Sequence, residues 1–94
     1  MSELVPTDIR QFSEWEFEML ARSGSDLFHT MLNQRVRIHD RETKSGVDFM
    51  QNCYEYLEIN VTKQYFIRKG YRHATVYFES PVDMQNFQRV LASI

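Results

Sequence analysis

The chain has 94 residues, of which 43 % are hydrophobic and 26 % charged, and its formal net charge is −2. A chain of this length holds one domain of ordinary size, so we expect a single globular domain over residues 1–94. With three glycines and two prolines, the composition excludes fibrous and disordered proteins.

Segments that direct a protein to a membrane or out of the cell are not evident in the sequence. No apolar run approaches the roughly 20 residues needed to cross a bilayer. The first residues carry the acidic Glu3 instead of a basic region, unlike a signal peptide. The single cysteine, Cys53, cannot form an internal disulfide, which fits a reducing compartment. We therefore expect a cytoplasmic protein with no membrane segment.

The first segment fits two structures. Apolar residues at helical spacing predict a helix over about residues 8–22, capped by Thr7 or Asp8. The alternation of acidic and apolar residues over 14–19 is typical instead of a half-buried strand. We favour the helix, because good helix formers dominate and a Ser-Gly pair follows as a stop. Its predicted apolar face consists of Ile9, Phe12, Trp15, Met19 and Leu20.

The middle of the chain contains two short elements and one long helix. Asp26 is a suitable cap for a short helical stretch that reaches Leu32. Alternation then predicts a strand over about residues 35–39, with Val36 and Ile38 facing the core. Apolar residues at helical spacing predict the second long helix over about residues 47–60.

Two strands and a helix are predicted for the last third. Aromatic and β-branched residues on both sides of Lys69-Gly70-Tyr71 indicate a hairpin over about residues 62–79, with Gly70 supplying a positive φ. The run from Ser80 to Asp83 gives a Ser cap and a first-turn Pro for a helix over about residues 81–93.

These elements together predict an α+β fold. It consists of a small antiparallel sheet, formed by the strand at about 35–39 and the hairpin at about 62–79, covered by helices at about 8–22, 47–60 and 81–93.

The stretch from His73 to Asp83, with Phe87 and Leu91 after it, resembles the third strand and second helix of an RNA-recognition motif or another ferredoxin-like domain. The resemblance implies a strand followed directly by a packed helix. His73 and Thr75 stand where such a motif carries base-stacking aromatics.

The residue types that carry catalysis do not form a known pattern. The three histidines have no metal-ligand spacing, and the three glycines are too far apart for a phosphate loop. Cys53 lies on the apolar side of a predicted helix, which is typical of a core residue. Asp40, Glu42 and Asp48 suit a solvated loop better than a two-metal centre. We therefore predict no enzymatic activity, no cofactor and no metal.

The charges divide along the chain into an acidic front and a basic middle. Alternation in the predicted strand places Arg35, Arg37 and His39 on one face, with Arg41 after them. Adjacent guanidinium groups repel one another unless a nearby anion neutralises their charge. Either the guanidinium groups are only solvated, or an anion of the first segment or of an external partner pairs with them. The internal candidates are Glu14, Glu16 and Glu18.

Basic and aromatic residues also meet at the predicted hairpin tip, a composition typical of interface hot spots. We predict a non-enzymatic binding module, an adaptor or inhibitor, that docks on a protein partner. The alternative is a nucleic-acid-binding domain of ferredoxin-like type, although a sequence pI of about 5.9 is low for that class. An exposed apolar strip would equally serve a homodimer. The predicted binding residues are Arg35, Arg37, Arg41, Lys69, Tyr71 and Arg72.

Overall fold

The computed structural model describes residues 10–93 and shows a small α+β fold. Its helices are α1 (Glu14–Ser23), α2 (Asp26–Asn33), α3 (Phe49–Asn60) and α4 (Pro81–Ser93). Its strands are β1 (Gln11–Phe12), β2 (Arg35–His39), β3 (Tyr65–Gly70) and β4 (His73–Phe78). None of the helices in this part of the chain has the length and apolar composition that crossing a bilayer requires.

The four strands form one sheet in the order β1-β3-β4-β2. The pairs β3–β4 and β4–β2 are antiparallel, whereas β1 pairs with β3 in parallel. The three predicted strands pair antiparallel, as expected, and the predicted α+β fold is confirmed. The prediction did not include β1, whose parallel pairing with β3 makes the sheet mixed. The parallel pair joins residues that are distant in sequence, such as Gln11 and Tyr65, and local alternation carries no information about such a pairing.

Helices pack on both faces of the sheet. On one face α3 and α4 cover the larger core. On the other face α1 and α2 cover a smaller cluster, in which Phe17 and Met31 pack on Phe66 of β3. The larger core consists of Val36, Ile38, Phe49, Cys53, Leu57, Val61, Tyr65, Ala74, Val76, Phe78 and Phe87.

The first helix begins later than predicted. Its N-cap is Ser13, which accepts from the Glu16 N–H while the Glu16 side chain accepts from the Ser13 N–H. This capping box fixes the start at Glu14, and the predicted caps Thr7 and Asp8 lie outside the described residues. The segment 14–19 is helix, so the strand alternative was wrong. Its buried residue is Phe17, whereas Trp15 of the predicted apolar face is 70 % exposed.

The other elements agree with prediction to within a few residues. The strand Arg35–His39 and the helix Pro81–Ser93 are confirmed. The strand β4 leads directly into α4, as the ferredoxin-like resemblance implied. Helix α3 begins at Phe49 because Asp48 accepts from the Gln51 N–H at 3.2 Å.

The hairpin turn differs from its prediction. The positive φ belongs to Arg72, at 61°, and Gly70 is the last residue of β3. A Cβ on Gly70 would clash with Nε2 of His73, its register partner on β4. A larger residue at this position would therefore require the imidazole ring of His73, which lies against the Gly70 backbone, to move.

Candidate functional site

The candidate site is the half of one sheet face that α1 and α2, which pack on the same face, leave uncovered. Alternation places Arg37 and His39 of β2, Arg68 of β3, and His73 and Thr75 of β4 on this face. We call these five residues the basic sheet face. Arg37, His39 and Arg68 are exposed, and His73 and Thr75 are half-buried.

Strand register arranges these side chains in two rows. Thr75 is paired with Arg37 on one side and with Arg68 on the other. Since adjacent strands lie about 4.8 Å apart, the two arginine Cα atoms are roughly 10 Å apart across Thr75. In the next row His73 lies between His39 and Gly70. The face thus presents two cations across a short polar residue, on paired strands that hold their spacing.

The helices α1 and α2 pack at the other end of this sheet face and cover that half of it. The ring of Phe17 from α1 stacks on Phe66 with ring centroids 4.3 Å apart, and it also contacts Tyr77 at 5.2 Å. Phe66 and Tyr77 are register partners one row before Arg68 and Thr75. The aromatic cluster therefore ends where the basic sheet face begins.

The two arginines of the basic sheet face have no carboxylate partner among residues 10–93. The nearest ion pair in the described residues is that of Arg72 with Asp40, whose charged groups are 3.9 Å apart near the surface. Arg68 lies over the Phe66 ring at 5.5 Å, a cation–π contact. No ion pair joins Arg35 or Arg37 to the acidic residues of α1 within the described part of the chain. Instead, Arg35 donates to the Leu32 carbonyl at the end of α2.

The two histidines form the outer row of the face. Their ring centroids are 6.3 Å apart. Nδ1 of His73 is 2.9 Å from the carbonyl oxygen of Tyr71. This contact and the Gly70 backbone beneath the ring fix the position of His73.

The six predicted binding residues do not lie on one face. Lys69 is on the opposite face of the sheet, with Nζ 4.5 Å from the ring centre of Tyr54. Arg41 donates to the Leu91 carbonyl at 2.9 Å and lies over the Phe49 ring. Both cations therefore contact the α3–α4 layer.

The remaining predicted residues are near the basic sheet face or in it. Arg37 is part of it, and Arg35 is one row away beside Tyr77. Tyr71, which is 87 % exposed, and Arg72 form the hairpin turn next to the outer row.

Sequence reasoning missed Arg68 as a partner of Arg37. The resemblance drew attention to His73 and Thr75, but nothing in the sequence connected them with Arg37. The signal was the hairpin register, which pairs residue 68 with 75 and residue 70 with 73. Finding it required the turn to be placed at Tyr71-Arg72 instead of one or two residues earlier.

The residues considered for catalysis have structural contacts. Cys53 is fully buried, and burial raises the pKa of its thiol to about 11, against the opposing effect of Arg41. Of the three loop carboxylates, Asp48 caps α3 and Asp40 faces Arg72. Among residues 10–93 no group of three metal-ligating side chains is assembled.

A cavity of about 280 Å³ lies beside β2 on the α3–α4 side of the sheet. Its lining includes the buried Ile38 and Phe49 and the half-buried Leu91. Arg37 and His39 also border it, so the cavity adjoins the basic sheet face along the outer side of β2.

Comparison with known proteins identifies no relative. No protein-family model, curated protein or solved structure matches the chain.

Proposed function

We propose that the chain is a non-enzymatic binding module that docks an acidic surface of a protein partner on the basic sheet face and the adjoining hairpin turn. The observation that carries this proposal is the pair Arg37 and Arg68. Both are exposed, they flank Thr75, and neither meets a carboxylate between residues 10 and 93. Each guanidinium can donate two parallel hydrogen bonds to a carboxylate.

The rigidity of the sheet supports a binding role. Both arginines stand on strands that pair with β4, so their backbones lose little conformational freedom when a partner binds. The cost of association is then mainly the ordering of the two side chains.

The hairpin turn supplies the residue types that dominate protein interfaces. Tyr71 is 87 % exposed, and Arg72 beside it is also exposed. Tyrosine and arginine are enriched among interface hot spots. The 3.9 Å pair of Arg72 with Asp40 is solvent-exposed, and such pairs are weak enough to exchange for a partner's carboxylate.

Charge elsewhere on the same side favours a protein partner over nucleic acid. Helix α1 packs on this side of the sheet and exposes Glu14, Glu16 and Glu18. A long phosphate backbone that continued past the basic sheet face would meet these carboxylates, whereas a compact acidic patch would not. The sequence pI of about 5.9 also argues for a local electrostatic match over a general affinity for polyanions.

The test compares two double variants that remove the same charge. Arg37→Ala with Arg68→Ala removes the cations of the basic sheet face. The control, Lys63→Ala with Arg89→Ala, removes two exposed cations elsewhere. The probes are polyglutamate, single-stranded polyuridylate and a DNA duplex of random sequence, each titrated at several salt concentrations.

We expect polyglutamate to bind the wild type and the control alike, and the Arg37/Arg68 variant at least tenfold more weakly. Equal binding by both double variants would refute the site. A polyuridylate affinity above that for polyglutamate, with a salt slope that falls by about two in the Arg37/Arg68 variant, would show a nucleic-acid partner instead.

A further inference from the structure

The strand β2 is an edge of the sheet, since the strand order is β1-β3-β4-β2. The hydrogen bonds at its two ends show which backbone groups face β4. The Phe78 N–H donates to the Gln34 carbonyl, and the Asp40 N–H donates to the Arg72 carbonyl, both at 2.9 Å. Antiparallel bonding alternates along a strand, so the even-numbered residues of this strand bond to β4.

The odd-numbered residues Arg35, Arg37 and His39 therefore direct their backbone N–H and C=O groups away from the sheet. Between residues 10 and 93 no other group forms a hydrogen bond with them. A row of such groups is a template for another strand. These are also the residues of β2 whose side chains lie on the same side as the basic sheet face.

A strand added to this edge would meet different surroundings on its two sides. On the side of the basic sheet face, the residue opposite Arg37 would lie about 5 Å from it, at a distance that suits an acidic side chain. On the other side, its neighbours would be the cavity of about 280 Å³, which the apolar residues Ile38, Phe49 and Leu91 line together with Asp40 and Arg41 at one end. The edge thus matches a strand with carboxylates on one face and apolar side chains on the other.

The same charges oppose pairing with a second copy of this chain. An antiparallel β2–β2 pair centred on Arg37 would place two Arg37 side chains directly opposite each other. Like charges in that position are destabilising, and charged edge residues commonly prevent self-association. An acidic strand removes this repulsion, so charge complementarity selects it over a second copy.

We propose that β2 receives an extended segment of the partner as an added strand, with carboxylates at alternate positions and apolar side chains between them. This inference rests on the proposed function and specifies the form of the partner. Backbone hydrogen bonds would supply affinity, and the alternating side chains would supply specificity.

The probe is a blocked peptide of alternating glutamate and valine, long enough to pair with all five residues of β2. Its control has the same composition with the glutamates grouped at one end. Two variants distinguish the contribution of the outward backbone N–H of residue 39 from that of the His39 side chain. His39→Pro removes an outward N–H without removing a hydrogen bond to β4, whereas His39→Thr keeps that N–H.

We expect the alternating peptide to slow hydrogen exchange at the amides of Arg37 and His39 in the wild-type protein. Val36 and Ile38, which already bond to β4, should change little. The peptide should bind His39→Pro about tenfold more weakly than His39→Thr, and the grouped peptide should give neither effect. The exchange measurement uses the wild type, so it remains decisive if His39→Pro unfolds.

Unchanged amide exchange at Arg37 and His39 on peptide binding would overturn strand addition, as would equal affinity of folded His39→Pro and His39→Thr. If polyglutamate binding still depends on Arg37 and Arg68 in that case, the proposed function stands and only the added strand is wrong. If it does not, the proposed function fails as well.

Discussion

Replacing Asp83 should destabilise the fold by removing a link between α4 and the segment before β3. Asp83 lies in the first turn of α4 and is 4 % exposed. Its Oδ2 accepts from the N–H groups of Thr62 and Lys63, each at 3.1 Å. The Thr62 hydroxyl also donates to this carboxylate, at 3.1 Å to Oδ1.

The contacts set the size of the effect. Asp83→Ala leaves two backbone N–H groups without their acceptor, at a cost of about 1 to 3 kcal/mol each. Thr62 and Lys63 are exposed residues, so water can hydrogen-bond to their N–H groups in place of the carboxylate. We therefore take a cost of about 1.5 kcal/mol for each N–H group. The sum is about 3 kcal/mol, or a fall in Tm of about 15 °C for a domain of this size.

The matched variant is Asp83→Asn. Its amide oxygen can occupy the Oδ2 position and accept from both N–H groups, while its NH₂ group donates to the Thr62 hydroxyl. Only the charge is then lost, and we expect a cost of about 1 kcal/mol.

Urea unfolding followed by circular dichroism measures both values, since Trp15 is too exposed to report well on unfolding by fluorescence. A loss below about 1 kcal/mol for Asp83→Ala, or equal losses for both variants, would refute this account.

Three further predictions concern a buried thiol, a strand glycine and a helix cap. Burial raises the pKa of the Cys53 thiol from 9.0 to about 11, so the unfolded state loses this proton at lower pH than the folded state. The wild type should therefore lose stability as the pH rises from 9 to 11, and Cys53→Ala should not. Urea unfolding at a series of pH values measures this difference. Below pH 9.0, Cys53→Ala should cost about 1 kcal/mol and leave binding unchanged, and rapid alkylation of the native thiol with loss of binding would contradict its core role. Gly70→Ala should displace the His73 ring and so change the NMR chemical shifts of that ring. Unchanged shifts would contradict the packing of the ring on the Gly70 backbone. Ser13→Ala should cost about 1 kcal/mol by thermal unfolding, since it removes half of the capping box with Glu16, and an unchanged Tm would show that the box does not stabilise α1.

The parts of the fold that depend on local patterns were predictable from the sequence. Alternation in β2 identified Val36 and Ile38 as core residues, and both are buried. The Ser-Pro start of α4 is a local signal, and the Ser80 hydroxyl accepts from the Asp83 N–H as a cap does. The buried position of Cys53 followed from helical spacing.

Other features depend on contacts between distant residues, which a single sequence does not display. The side of α1 that is buried is set by Phe66 of β3, onto which Phe17 stacks. Trp15 and Phe17 are both large aromatic residues, and nothing local indicates which of them is buried. The strand β1 exists because Gln11 and Phe12 pair with β3.

The candidate site was predictable only in part for the same reason. Arg37 was identified from alternation within its own strand. Its partner Arg68 required the order and register of three strands. Lys69 and Arg41 were misplaced relative to this face because neighbouring residues in a strand, or in the loop after it, point to different layers.

The central claim is that an acidic partner docks on the basic sheet face, and charge reversal tests it most directly. Arg37→Glu with Arg68→Glu is compared with the control Lys63→Glu with Arg89→Glu, which changes the net charge equally. Binding of polyglutamate and of polylysine to both variants is measured at low salt. We predict that the Arg37/Arg68 reversal abolishes polyglutamate binding and creates polylysine binding, while the control still binds polyglutamate. Identical behaviour of the two variants would contradict the claim.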